Sequence, residues 1–170
     1  DPSVSAEMGG NGFEEIASQL GYKTYTIKPE EEIFFGDPRA VKGGTINYIH
    51  TGFPRTMRIY GQNSSQVLNF QTIENVCYEP LLRLHPITLE FVPSLASHWK
   101  ISEDKMQFWF RIDPDARWSD GTPVTSADVV ATWDLLMDET ILEPSNQIIY
   151  GKFERPVAES KYIVTVKAKT

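Results

Sequence analysis

Two stretches of the chain alternate apolar and polar residues strictly enough to predict β-strands. In Gln107–Ile112 the side chains of Phe108, Phe110 and Ile112 share one face, while Trp109 and Arg111 share the other. Residues 161–169 repeat this pattern, with an apolar face opposite a face that carries lysines and Thr165. Period-two alternation predicts a sheet with one buried face and one wetter face.

A third stretch, residues 125–137, predicts a well-capped helix. Thr125 and Asp128 have the spacing of a capping box, in which each residue satisfies a free backbone group of the first turn. An apolar stripe follows, which includes Val129, Val130 and Trp133. We therefore expect one face of this helix, with Trp133 on it, to pack in the core.

The other predicted helices, strands and loops have weaker sequence signals. Together they indicate how the chain is divided into domains. Residues 13–20 have the spacing of a short helix face that stops at Gly21, and residues 29–44 are rich in Gly and Pro and predict a loop. Residues 45–50 predict a strand, and residues 64–84 a mostly helical stretch interrupted at Pro80. The predicted fold class is α/β with a mixed α+β sheet. Residues 1–41 are expected to form an extension or tether, and residues 42–170 the folded part.

Composition narrows the class of protein. The 170 residues are 41% hydrophobic with a formal net charge of −7, and the basic residues are scattered. A nucleic-acid partner is not expected, because that requires clustered Lys and Arg. No apolar run approaches the roughly 20 residues of a membrane-spanning helix, and no basic-then-apolar leader is present. The protein is expected to be cytosolic, or exported with its signal segment already removed.

Candidate chemistry is sparse. Cys77 is the only cysteine and is expected to be a small buried hydrophobic residue. The acidic stretch from Asp113 to Asp120 fails as a calcium loop, because Arg117 and Trp118 fall where an oxygen ligand and a glycine are needed, so it predicts a tight turn. The histidines and serines show no zinc or nucleophile pattern. We therefore expect no catalytic residue, no metal site and no cofactor.

One string of residues carries a specific resemblance. The sequence WSDGTPVTSADVV at residues 118–130 resembles a signature of the family 5 solute-binding proteins, the peptide and nickel receptors of ABC importers. Further matches in the same order are GGTIN at 43–47, ENVCYEPLLRL at 74–84, VPSLASHWKIS at 92–102 and FWFRI at 108–112. The chain departs from the family pattern at residues 57–59 and at Pro80.

The resemblance implies a partial first lobe of a two-lobed, class II periplasmic-binding-protein-like fold. Residues 42–170 are then expected to hold the opening strand of that lobe and its inserted subdomain, with the second lobe absent from this chain. It implies the substrate-binding component of an ABC importer, with a peptide or other small solute as ligand and membrane permease subunits as partners. The protein is expected to be a monomer. It is expected to be exported to the periplasm or the cell surface, and a lipid anchor is one alternative for how it is held there. A peptide-sensing receptor on the same fold and, from a different class, a hydrolase remain alternatives.

Ligand contacts are expected from loops at strand ends, because such loops carry function on a rigid scaffold. Two stretches are candidates, 51–54 and 146–150. The candidate residues are Thr51, Gly52, Phe53, Pro54, Asn146 and Tyr150. The stretch with Asn146 and Tyr150 is expected to be loop-like, and the alternative for such an aromatic residue is a place in the core.

Overall fold

The computed structural model describes residues 2–37, 39–45, 47, 49, 52–64 and 75–169. In this part of the chain the helices are α1 (Phe13–Ile16), α2 (Glu32–Phe35), α3 (Asn75–Cys77), α4 (Ser126–Met137) and α5 (Pro144–Tyr150). The strands are β1 (Leu82–Leu84), β2 (Phe91–Pro93), β3 (Ala96–Ile101), β4 (Gln107–Ile112), β5 (Val157–Ala158) and β6 (Ile163–Lys167).

An antiparallel sheet of four strands, in the order β3-β4-β6-β5, organises the molecule. Phe110 of β4 pairs with Trp99 of β3 and with Val164 of β6. The strand prediction for Gln107–Ile112 is confirmed, and that for residues 161–169 is confirmed over Ile163–Lys167. The apolar alternation was therefore a reliable guide to both interior strands.

Helix α4 covers one face of this sheet. At its start the backbone N–H and the hydroxyl of Thr125 donate to Asp128 Oδ2 at 2.7 and 2.9 Å, so the predicted cap forms. Val130 packs with Ile112 and Val164 in a buried cluster, while Val129 and Trp133 are only partly buried. The predicted helix is confirmed, but Trp133 is less deeply buried than the stripe suggested.

The opposite face is covered by residues 3–25, which we call the strap. Phe13 and Ala17 of the strap pack with Ile163 of β6 and exclude water from that side. The prediction of a wetter face was therefore wrong for Arg111, whose side chain is 3% exposed beneath the strap. Each interior strand thus has cover on both faces, from α4 on one side and from the strap on the other.

The segment before the sheet differs from its helical prediction. Residues 65–74 lie outside the described residues, α3 ends at Cys77, and Leu82–Leu84 forms an antiparallel pair with Phe91–Pro93. The predicted helix is wrong over β1, because a chain that Pro80 interrupts is free to extend. Cys77 is exposed, so the expectation that it is buried was also wrong.

Three smaller differences concern loops and ends. The helix predicted over residues 13–20 is shortened to Phe13–Ile16 and is followed by turns up to Gly21, and the predicted loop 29–44 contains α2. Of the predicted strand 45–50, residues 46, 48 and 50 lie outside the described residues, and the others are assigned to no strand. In the described ranges no helix is long and apolar enough to cross a membrane.

Candidate ligand-binding surface

The turn that carries the WSDGTPVTSADVV string is held by its own hydrogen bonds. Asp120 Oδ1 accepts from the backbone N–H of Thr122 at 2.9 Å and from its hydroxyl at 2.7 Å. Gly121 lies in the left-handed region with φ of 88°, and the N–H of Trp118 donates to Thr122 O at 2.8 Å. These contacts join the end of β4 to the start of α4. The predicted tight turn is therefore present, and its acidic residues serve the backbone.

The first predicted ligand segment is exposed where it is described. Thr51 lies outside the described residues, Gly52 is exposed and Pro54 is partly buried. The ring of Phe53 is 99% exposed. A fully solvated aromatic ring makes no contribution to the core of this chain, so it is available to a ligand or to another part of the protein.

The second predicted segment is a helix and not a loop. Pro144 begins α5, where its missing N–H costs nothing, and the helix continues to Tyr150. Asn146 and Tyr150 are four residues apart and lie on the same side of this helix. Asn146 is partly buried and Tyr150 is 36% exposed. The prediction of a loop-like stretch was wrong, because a proline at the first helical position favours a helix start and Pro144 occupies that position.

The structure connects the segment after Phe53 to the turn before α5. The N–H of Gly61 donates to Glu143 Oε2 at 2.7 Å, and the N–H of Gln62 donates to Ile141 O at 3.2 Å. A side chain at Gly61 would meet Ile141 Cγ2 at 3.2 Å, and its φ is 106°. Sequence analysis missed Gly61 and Glu143. The available signal was Gly61-Gln62-Asn63, a run of turn-forming residues.

A separate open cleft of about 460 Å³ lies between the strap and the end of β4. Its walls carry both signs of charge, from Glu14, Asp113 and Asp115 on one hand and from Arg111, Arg117 and Lys161 on the other. Arg117 Nη1 is engaged with Pro114 O at 2.5 Å and with Ala116 O at 2.8 Å. None of the predicted ligand residues that the structure describes lines this cleft.

Ionisable groups beneath the strap have shifted pKa values. Burial, and next the charge of Arg111, lower the pKa of His98, with Glu14 and Asp113 acting in the opposite direction. Partial burial acts to raise the pKa of Glu14, yet a backbone hydrogen bond and the Arg111 charge lower it overall. Burial, with the charge of Glu159, raises the pKa of Tyr22 to about 12. Each of these groups lies at the strap–sheet contact and away from the predicted ligand residues.

The described residues show no cluster of His, Cys, Asp and Glu side chains that could hold a metal ion. Two carboxylates of these residues form contacts within the fold and do not converge on a common point. Asp134 pairs with Arg155 at 2.7 Å, between α4 and the chain after α5, and Asp128 caps α4.

Comparison with known proteins gives a match to one family over part of the chain. Residues 90–170 match the family model described as bacterial extracellular solute-binding proteins, family 5 Middle. That range runs from the start of β2 through the four-stranded sheet, α4 and α5. It therefore includes the strands and the helix that the sequence predicted best.

Two relatives from Escherichia coli (strain K12) match shorter stretches. The periplasmic murein peptide-binding protein MppA is 44% identical over 55 residues, which are 32% of this chain and 10% of MppA. The periplasmic oligopeptide-binding protein OppA is 37% identical over 60 residues, which are 35% of this chain and 11% of OppA. The matches thus span about a tenth of the length of these relatives.

A solved structure shares the fold. NikA from Brucella suis, in complex with Fe(III)-EDTA, matches with a TM-score of 0.55 and 21% identity, over 68% of this chain and 22% of NikA. The mixed α/β fold is therefore that of part of a class II periplasmic binding protein, as predicted. Over residues 90–170 the chain is therefore similar to the bacterial extracellular solute-binding proteins of family 5, and its matches to MppA and OppA span only about a tenth of the length of those relatives.

Proposed function

We propose that this chain is part of the substrate-binding component of an ABC importer, and that it captures oligopeptides or related solutes. The observation that carries this proposal is the family match over residues 90–170, together with relatives named as peptide-binding proteins. The role proposed is binding without catalysis. Permease subunits in the membrane are the proposed partners, and the periplasm or the cell surface is the proposed location.

The proposed ligand surface is built from the two predicted segments. Phe53 and Tyr150 would contribute aromatic rings, and Asn146 a side-chain amide that both donates and accepts hydrogen bonds. This combination suits an extended peptide, whose main chain needs hydrogen bonds and whose side chains need apolar contact. Thr51, Gly52 and Pro54 complete the proposal as neighbours of Phe53.

The exposure of these side chains supports the proposal. Phe53 is 99% exposed, and the neighbours Ile148 and Ile149 on α5 are 71% and 54% exposed. Isolated apolar side chains on a surface need no explanation, but adjacent exposed apolar residues such as Ile148 and Ile149 favour a contact surface. The hydrogen bond from Gly61 to Glu143 also links the chain after Phe53 to the turn before α5.

The test is peptide binding by the protein encoded by the complete gene. Titration calorimetry with a mixed peptide library should show binding that Tyr150→Ala or Phe53→Ala weakens by about tenfold, the loss of one aromatic contact. Phe91→Ala is the matched control, because Phe91 is a 52% exposed ring on the paired strands β1 and β2, outside both proposed segments, and its loss should leave affinity unchanged.

Three outcomes contradict parts of this proposal. Absence of any peptide or solute binding would contradict the capture of solutes. Peptide cleavage that survives purification and disappears on substitution of one residue of this chain would favour the hydrolase alternative. Tight peptide binding by the protein, combined with cellular peptide uptake that stays the same whether neighbouring transport genes are deleted or restored, would favour a peptide-sensing receptor.

A further inference from the structure

The outer edge of β3 is paired with the strap. Lys23 N donates to Trp99 O at 2.7 Å, and Trp99 N donates back to Lys23 O at 2.9 Å. The hydroxyl of Thr24 donates to Ser97 O at 2.8 Å. Since β3 is the first strand in the sheet order, these outward backbone groups would otherwise face solvent. The strap therefore supplies β3 with a short partner strand.

The other edge of the sheet is protected because its edge strand is short. The edge strand there is β5, which has two residues, Val157 and Ala158. Strands this short offer too few unpaired groups to recruit another chain. The strand β3 has six residues. Its first amide, Ala96 N, donates to Leu81 O at 2.9 Å, so within the described part of the sheet the edge from Ser97 to Ile101 is the one long enough to act as a template.

The two halves of the strap are held differently. Phe13 is 0% exposed and Ala17 is 3% exposed, so the first half belongs to the core. Lys23 and Thr24 are exposed, and backbone and hydroxyl hydrogen bonds hold them at the edge. Because such exposed bonds contribute only about 1 kcal/mol each, the second half can open locally while the first half stays docked.

We propose that Lys23 and Thr24 act as an edge cap that keeps the chain monomeric, by occupying a strand edge on which a second copy of this chain would otherwise pair. The free edge of β3 is complementary to itself. In an antiparallel pair related by a two-fold axis, each copy offers the other the donors and acceptors that Lys23 now engages. The occupant is therefore a second copy of β3, joined through the backbone of Ser97 and Trp99.

Position 23 allows a matched test in the whole chain. Lys23→Pro removes the N–H that donates to Trp99 O, while Lys23→Ala keeps that N–H and removes only an exposed side chain. Light scattering coupled to size exclusion should show wild type and Lys23→Ala as monomers at every concentration. Lys23→Pro should shift toward the mass of a dimer as its concentration rises.

Hydrogen exchange identifies the surface involved. In dilute Lys23→Pro, the amide of Trp99 should exchange about tenfold faster than in Lys23→Ala, the effect of losing one or two exposed hydrogen bonds. Its protection should return in concentrated samples, because β3 of the second copy replaces the cap. The amides of Phe110 and Val164, inside the sheet, should keep their protection throughout and report an intact fold.

Several results would overturn the proposal. It fails if Lys23→Pro stays monomeric although its Trp99 amide has lost protection, since an open edge would then recruit nothing. It also fails if wild type is already a dimer, or if the Trp99 amide stays protected in dilute Lys23→Pro. If Lys23→Pro does not fold, Lys23→Gly takes its place, because glycine loosens the cap entropically and should give a smaller shift of the same kind.

Discussion

Arg111 and Glu14 form an ion pair in which Arg111 Nη1 lies 2.8 Å from Glu14 Oε1. The same guanidinium donates from Nε to Gly9 O at 3.0 Å and from Nη1 to Ser97 Oγ at 2.9 Å. One buried side chain of β4 therefore contacts the strap twice and the neighbouring strand β3 once. The planar fork of an arginine can serve such divergent acceptors, whereas a lysine ammonium cannot reach all of them.

Loss of these contacts should destabilise the fold unequally. Glu14→Gln should lower the free energy of unfolding by about 0.5–1 kcal/mol, because Glu14 is 58% exposed and solvent screens its charge. Arg111→Lys should cost about 2–4 kcal/mol, because it leaves Gly9 O or Ser97 Oγ without a donor in a buried place. Urea unfolding followed by circular dichroism measures both values.

Glu15→Gln is the matched control for Glu14→Gln. Glu15 lies beside Glu14 on α1 and is exposed, and the ion pair to Arg111 does not involve it. A loss of stability in Glu15→Gln equal to that in Glu14→Gln would mean that the general charge of α1 matters and the ion pair does not.

The sequence predicted those elements whose signals are local. The cap of α4 needs only Thr125 and Asp128, and the alternation around Phe110 needs only neighbours on one strand. The burial of Arg111 was not predictable in this way. Alternation shows that two faces differ, but the cover on the second face comes from Phe13, far away in the chain.

The candidate ligand site was less predictable than the fold. Phe53 was selected as a loop residue and lies exposed, whereas Asn146 and Tyr150 were assigned to a loop and lie on α5. A proline is tolerated at the first position of a helix although it breaks a helix interior, and from the sequence Pro144 was not considered as a helix start. The role of these residues in ligand binding stays a prediction.

Acid should loosen the strap. The pKa values of His98 and Glu14 are both lowered in the fold, so each group contributes stability above its unfolded pKa and loses that contribution as pH falls through its folded pKa. For His98 the loss begins near pH 6.5, the ordinary pKa of a histidine, and Glu14 adds to it in more acid solution. The ring of His98 also packs edge-on against Phe13 with centroids 5.3 Å apart, so a charge there disturbs the strap directly.

Thermal unfolding measured from pH 8 to pH 4 tests this expectation, within the range where these groups titrate. Wild type should lose stability below about pH 6.5, and His98→Gln should lose less between pH 6.5 and 5 because its side chain takes up no proton. The charged neighbours Arg111, Glu14 and Asp113 are unchanged in that variant. Identical pH profiles for the two proteins would exclude His98 as the titrating group.

Trp133 offers a second stability prediction. Its indole Nε1 is buried and has no hydrogen-bond partner among the described residues, although the side chain as a whole is only partly buried. Trp133→Phe removes the unsatisfied N–H and keeps most of the apolar contact, so its effect should lie within about 1 kcal/mol of wild type. Trp133→Ala should cost about 3 kcal/mol, the lower end for a truncated aromatic residue, because the ring is not fully enclosed. Chemical denaturation of both variants measures the difference, and equal losses would mean that the N–H is satisfied in solution.

The last prediction concerns how tightly this chain alone holds a peptide. It spans about a tenth of the length of MppA and OppA, so it would supply only part of a ligand's surroundings if the ligand is enclosed between two lobes. Phe53 is 99% exposed and Tyr150 is 36% exposed, so each contact they make competes with water. Hydrogen bonds in such a place contribute about 1 kcal/mol or less each. We therefore expect the 170-residue chain to bind peptides no tighter than about millimolar, which corresponds to about 4 kcal/mol.

Titration calorimetry on the chain and on the product of the complete gene, with the same peptide library, measures both affinities. Micromolar binding by the chain alone would show that its own residues enclose the ligand, and the open surface around Phe53 and Tyr150 would then be the wrong site.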